Sequence, residues 1–290
     1  MRTRQVGSFK SLMLCSLLAA GCAGSAWGQS TSGAQGLLDN PWVLNVGTFT
    51  FGTAIRANLN GQSTVKPEID FNDTFGAAND ASRVRADVLW RLTPTHRLRA
   101  MYFDNSESRS RVLAEDVQWG DNTFGKGSRA DYSQKLKVLA VAYEYAFVRR
   151  PSYELAGSLG VHYLDLSVQI SGSATLTGPA CARPPCTASA STKVSQLPAP
   201  LPMAGLRAGW VVAPDWYIDA QGQVFKIKVG DYDGRWTDLR LGANWMFSRN
   251  YGLGLGYNYF GSRIDVEKAD FNGRLKLGYS GVQLFLTGTF

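Results

Sequence analysis

The chain has 290 residues, 44% of them hydrophobic and 12% aromatic, with 31 glycines, 4 cysteines and a formal charge of +7. That length fits one large β domain or two smaller ones. No basic stripe interleaved with aromatics runs through it, which excludes a nucleic-acid footprint, and no apolar run is long enough for a membrane-spanning helix.

Residues 1–28 read as a secretory signal. Arg2, Arg4 and Lys10 form the charged start, "SLMLCSLLAAG" is the apolar stretch, and Ala26 and Gly28 supply small residues before a cut ahead of Gln29. Removing those three cations lowers the formal charge from +7 to +4. A second reading is lipidation at Cys22, in "LLAAGC". Ala19 weighs against it, because lipoprotein signals usually carry a large apolar residue at that position. Residues 29–41 then form a short periplasmic segment, and residues 42–290 the folded domain.

From Trp42 onward alternating segments dominate. They predict ten strands, at about 42–60, 82–92, 97–107, 131–148, 153–171, 197–212, 216–230, 235–248, 251–266 and 272–290. The connections alternate between two kinds. Short ones fall near 92–97, 148–153, 212–217 and 247–252. Most of the others are long and polar, at 61–81, 108–130 and 172–196, followed by the tighter "GDYDGR" and "VEKADFNG". Short turns therefore gather at one end of the sheet. The clearest strand is "YGLGLGYNYFG", with Tyr251, Leu253, Leu255, Tyr257 and Tyr259 on one face and Gly252, Gly254, Gly256 and Asn258 on the other.

Alternation alone would also suit a soluble sandwich. Three features decide against that. Trp90, Phe147, Tyr153, Trp210, Trp216, Trp245, Phe247, Tyr251 and Phe290 cluster beside the short turns, as an interfacial belt requires. Many strands exceed the ~10 residues needed to cross a bilayer at a tilt. The faces opposite the apolar ones are glycine-rich or charged, which a packed sandwich core would not tolerate. A sheet in lipid must close on itself. The fold class is all-β: a transmembrane, antiparallel, up-and-down β-barrel of about ten strands, within a range of roughly eight to twelve.

The last strand ends on "GVQLFLTGTF", with Val282, Leu284, Leu286, Gly288 and Phe290 on one parity. Those residues resemble the C-terminal assembly signal of Gram-negative outer-membrane proteins, and the mature chain resembles the small barrels of the OmpA and OmpW type. The resemblance implies the cell outer membrane, contact with membrane lipid and lipopolysaccharide, delivery by the barrel assembly machinery, and a monomer. One departure is visible: Leu275, Leu277 and Tyr279 fall on the opposite parity. A β-bulge near Ser280–Gly281 is expected there, or a strand that has already left the membrane.

With the apolar parity assigned to lipid, the lumen receives Arg85, Asp87, Arg91, Arg97, Arg99, Glu144, Glu154, His162, Arg207, Asp219, Asp238 and Arg240. Unpaired charges there would be costly, so an ion-paired network is expected. Ten strands lie near the side-chain-filled end of the barrel range. A plugged structural barrel is therefore the first functional expectation and a narrow small-solute channel the second. Third comes a surface-recognition protein acting through its long loops, where Trp119 and Phe124 stand out.

Enzyme activity is not expected. Outer-membrane lipid hydrolases pair a strand histidine with a serine two residues later, but His162 is followed by "YL". Omptin-type proteases need an Asp-x-His pair, which is absent; Asp231 and Asp233 read instead as a hairpin turn, and His96 as a turn residue. The two histidines are far apart and no phosphate-cradling loop precedes a helix, so no metal or cofactor is expected. Once the signal is removed, Cys181 and Cys186 remain, separated by "ARPP". An oxidising periplasm and that spacing predict a disulfide between them.

Overall fold

The computed structural model describes residues 33–60, 69–75, 81–119, 122–176, 186–195, 199–230, 232–268 and 271–290. In chain order the strands are β1 (Trp42–Asn60), β2 (Ile69–Asp70), β3 (Ala81–Arg91), β4 (His96–Val112), β5 (Val117–Trp119), β6 (Asn122–Phe124) and β7 (Arg129–Arg149). They continue with β8 (Tyr153–Leu176), β9 (Cys186–Ser195), β10 (Ala199–Ala213), β11 (Trp216–Val229), β12 (Tyr232–Met246), β13 (Tyr251–Lys268) and β14 (Phe271–Thr289). Two short α-helices accompany them, α1 (Gly36–Asp39), preceded by a 3-10 turn over Gly33–Gln35, and α2 (Phe71–Phe75).

Ten of these strands form a closed antiparallel ring in the order β1, β3, β4, β7, β8, β10, β11, β12, β13, β14 and back to β1. The closing seam runs unbroken from Val43 opposite Thr289 to Asn60 opposite Asn272. At its end Trp42 and Phe290 exchange both backbone hydrogen bonds, at 2.9 and 3.0 Å. The small strands β2, β5, β6 and β9 add to the long-loop end, pairing with β1, with one another and with β8.

The outer wall near the short turns is apolar. Leu241, Leu255, Leu284 and Leu286 face outward, and the aromatics form a rim below them, with Trp42 and Trp90 stacked at 5.1 Å and Tyr251 edge-on to Phe290 at 5.9 Å. Toward the long loops the same strands exchange their faces. On β7, Lys135 and Lys137 point out while Leu136 and Val138 are buried inside; on β8, Leu166 and Val168 are inside. A strand that passes from lipid into water keeps its period of two but swaps which face must be dry.

Of the two expectations at Ser280–Gly281, this exchange removes the bulge and agrees with a strand that has left the membrane. β14 pairs with both β1 and β13 without any register shift. Leu275, Leu277 and Tyr279 simply continue the inward parity of Gln283 and Phe285. The register shifts that do occur, at Ala146/Val148 and Val211/Ala213, lie beside short turns. His96 also differs from its reading as a turn residue: it opens β4, and its Nδ1 contacts the Tyr143 hydroxyl. The "GDYDGR" turn does carry a positive φ, at Gly230 (55°), while Asp233 belongs to β12.

The pairing of β10 with β11 stops at Ala204 opposite Val224, although β10 stays paired to β8 as far as Ala199. Pro200 and Pro202 occupy the one-sided stretch. Proline has no N–H to donate, so it fits a strand with a free side, and such a side belongs above the hydrocarbon.

Candidate functional site

The lumen is the candidate site, and its contents lie in three layers. The lowest is residues 33–40, folded into the short-turn mouth. Ala34, Leu37 and Leu38 pack with Val43, Leu89, Tyr217 and Met246. A helix as short as α1 leaves its last carbonyls without intrahelical partners, and the barrel supplies donors for them. Arg91 donates to the carbonyls of Asn40 at 2.6 Å and Leu37 at 2.5 Å. The Thr289 hydroxyl adds a second bond, at 3.0 Å, to the Gly36 carbonyl, which already accepts the Asn40 N–H. Arg149 adds a salt bridge to Asp39 at 2.5 Å.

The middle layer is ionic and falls into two clusters. Strand alternation turns each member inward, and all are buried. In the first, Glu154 Oε1 lies 2.5 Å from Arg97, 3.3 Å from Arg207 and 3.9 Å from Arg91. Glu144 takes Arg97 Nε at 3.1 Å and Arg99 Nε at 2.7 Å. Arg207 also donates to the Tyr217 hydroxyl at 3.0 Å and lies 3.8 Å from Asp219. In the second, Asp87 accepts a two-pronged Arg85 fork at 3.1 and 3.0 Å, Arg240 at 2.9 Å and Gln283 at 3.2 Å. Arg85 reaches Asn258 at 2.9 Å and lies 5.3 Å from the centre of the Phe49 ring. His162 Nε2 stands 3.8 Å from Asp238, the remaining carboxylate of this cluster.

These contacts cross the lumen. Arg240 on β12 meets Asp87 on β3, and four ring steps separate those strands. A buried charge is tolerable only with close partners. Arg85 has one in its two-pronged contact with Asp87. The Nε atoms of Arg91, Arg97, Arg207 and Arg240, and one oxygen each of Glu144 and Glu154, are instead held by charge proximity without a hydrogen bond.

The upper layer is apolar. Phe49, Phe51, Phe103, Phe260 and Tyr279 form a ring cluster in which Phe260 stacks on Tyr279 at 4.9 Å and Phe103 meets Tyr279 edge-on at 5.2 Å. Loop residues cap it. Phe71 and Phe75 of α2 pack against Tyr132 at 5.5 and 5.1 Å, and Phe124 is fully buried, which makes it core packing and not an exposed contact. A cavity of about 30 Å³ lies between the ionic and apolar layers, bordered by Arg85, Met101 and His162. Another of about 20 Å³ lies lower, beside Leu37 and Arg207. Each has room for one or two waters.

All eleven charged residues read from the sequence as lumen-facing come together in the middle layer. Val282, Leu284, Leu286 and Phe290 lie on the outer wall. Cys181 and the Cys186 side chain fall outside the described residues, as do Asp231 and the Trp119 side chain. Among the described residues no group of three His, Cys, Asp or Glu side chains is arranged to hold a metal. Sequence reasoning missed the α1 plug and the aromatic layer. Phe49 and Phe51 share the parity of Asn45 on β1, a signal that pointed inward.

No family model and no curated protein matches the chain. Among solved structures it is similar to the outer membrane protease OmpT from Escherichia coli, with a TM-score of 0.51, 12% identity, and 87% of this chain and 97% of that chain covered. It also matches the outer membrane protein OprG from Pseudomonas aeruginosa (TM-score 0.36, 9% identity, 90% and 99% covered) and the toluene transporter TodX from Pseudomonas putida (TM-score 0.36, 8% identity, 91% and 96% covered). At these identities the first likeness speaks for the fold alone.

Proposed function

We propose that this Gram-negative outer-membrane β-barrel is a plugged structural barrel that displays its loops outside the cell and passes no solute. One observation carries this reading: Arg97, 0% exposed, is bound to both Glu144 and Glu154, in a lumen that is also barred by the Asp87–Arg240 contact. A conduit would need these pairs to part and leave several charges buried without partners, which costs several kcal/mol for each broken pair. Liposome swelling with small sugars tests it. Swelling no faster than in protein-free vesicles is expected; rapid swelling would overturn it in favour of a small-solute channel.

The reading assigns no enzyme activity. His162 is buried beneath the aromatic layer, and its 3.8 Å separation from Asp238 is longer than a hydrogen bond. It also includes three points of processing: removal of residues 1–28, a Cys181–Cys186 disulfide, and insertion as a monomer by the barrel assembly machinery. Intact mass checks the first, and an acylated N-terminus at Cys22 would overturn it. Alkylation without reductant should label neither cysteine, and quantitative labelling would refute the bridge.

A further inference from the structure

Above the apolar band, one arc of the outer wall carries a row of like charges. Lys226 on β11 pairs in register with Arg235 on β12, Arg235 with Arg263 on β13, Arg263 with Lys276 on β14, and Lys276 with Arg56 on β1. All five share the outward parity of Leu239, Tyr257 and Leu284. Like charges directly opposite one another destabilise a sheet, so folding alone does not account for five of them side by side.

Among the described residues, acidic neighbours are fewer than the cations. Asp70 pairs with Arg56 at 2.7 Å, and Asp265 with both Arg263 (2.6 Å) and Arg274. Burial would raise the Asp265 carboxyl, but the hydrogen bonds from Arg263 and Arg274 outweigh it and hold the group below its usual range. One position further out, Lys228 and Asp233 face each other. The described residues of the patch thus number seven basic and three acidic. The far wall differs: there Asp104, Lys137 and Asp165 alternate in register.

Depth and shape narrow the ligand. Trp216 lies ten residues before Lys226 and Trp245 ten after Arg235, a rise of about 25 Å for strands tilted by roughly 40°. That is the height of the hydrocarbon band, so the row begins at the outer-leaflet headgroups. Because it runs square to tilted strands, it climbs by roughly 3 Å per strand. In keeping with that climb, the rim residues Phe290 and Trp42 lie fourteen residues from Lys276 and Arg56. Directly beneath the cations the outward positions are Val224, Thr237, Gly261, Gly278 and Ala54 in register, and the Tyr259 ring lies beside Gly261. All five cations border an open groove of about 1310 Å³ with that floor.

We propose that this row is a binding site for a phosphorylated glycolipid of the outer leaflet. The oblique cations would meet phosphates at successive depths, and the groove below them, lined by Val224, Thr237, Tyr259 and Gly278, would take the sugar backbone. A phospholipid, with one phosphate at one depth, would engage only part of the row. The inference goes beyond the plugged lumen and does not depend on whether the lumen conducts.

The test uses the full barrel refolded in phosphatidylcholine vesicles, with bound lipid read by native mass spectrometry and by the shift in Tm. Bis-phosphorylated lipid A should bind and raise Tm. Its dephosphorylated form and phosphatidylglycerol should bind at least tenfold more weakly, and millimolar inorganic phosphate should leave Tm unchanged. R235Q/R263Q/K276Q should weaken lipid A binding at least tenfold, while K135Q/K137Q on the far wall should not. If the triple variant does not fold, Arg235→Gln alone should weaken binding at least threefold. Undiminished binding by the charge-removed variant, equal binding of the dephosphorylated lipid or phosphatidylglycerol, or an equal response to phosphate would each overturn the proposal.

Discussion

Leu241 and Arg240 are neighbours on β12 and stand in opposite media. Leu241 is 59% exposed on the apolar wall, and Arg240 is buried against Asp87. Leu241→Arg should cost about 2–4 kcal/mol in lipid if the site lies near the bilayer midplane. Arg97→Leu should cost about 3–5 kcal/mol, because it strips a partner from both Glu144 and Glu154. Urea unfolding in vesicles measures both, and two harmless substitutions would refute the inside–outside assignment. Phe290 closes the seam with Trp42 through two backbone hydrogen bonds, each worth about 0.5–1.5 kcal/mol. If it is also an assembly signal, a chain ending at Thr289 should lose far more outer-membrane insertion in cells than refolding yield in vitro. Equal losses would leave Phe290 only its seam role. At this scale the facing of a charge is legible, because a period of two fixes it. The pairing of Arg240 with Asp87 is not, since they lie 153 residues apart.

Among the elements, β14 shows what alternation leaves open. Its apolar residues change parity near Ser280, which leaves two readings open, a bulge or a strand leaving the membrane. The strand is regular, and the medium changes instead: hydrocarbon outside Leu284, then the polar layer above it outside Lys276 and Arg274. Gly281 sits at the crossover on the inward parity, where an added Cβ would meet Thr50 O at 2.2 Å and the Phe51 Cα at 2.5 Å. Gly281→Ala should therefore force the β1–β14 seam apart locally and cost about 1–3 kcal/mol. A denaturant midpoint equal to wild type would show slack in the seam. The α1 plug was not legible, because four residues carry no periodicity and their carbonyl partners, Arg91 and Arg149, come from β3 and β7. The long-loop ends were legible only as polar connections; in the fold, β4 runs on to Val112 and β8 to Leu176.

For the whole molecule, ten strands and their closure follow from strand length, the aromatic rim and the need to satisfy every backbone group in lipid. That much was readable before any coordinates, down to most strand boundaries. The filling of the barrel was readable only as a charge balance, because the aromatic layer uses the same parity as the ion clusters at a different depth. The α1 plug, the six arginines with their five carboxylates, and the Phe–Tyr layer act in series, so loss of one should not open the barrel. Ion conductance across a planar bilayer tests this most directly, on the full mature chain and on a chain lacking residues 33–40. A closed lumen predicts no steady conductance above the lipid background from either protein. A stable ohmic step from the full chain would contradict it.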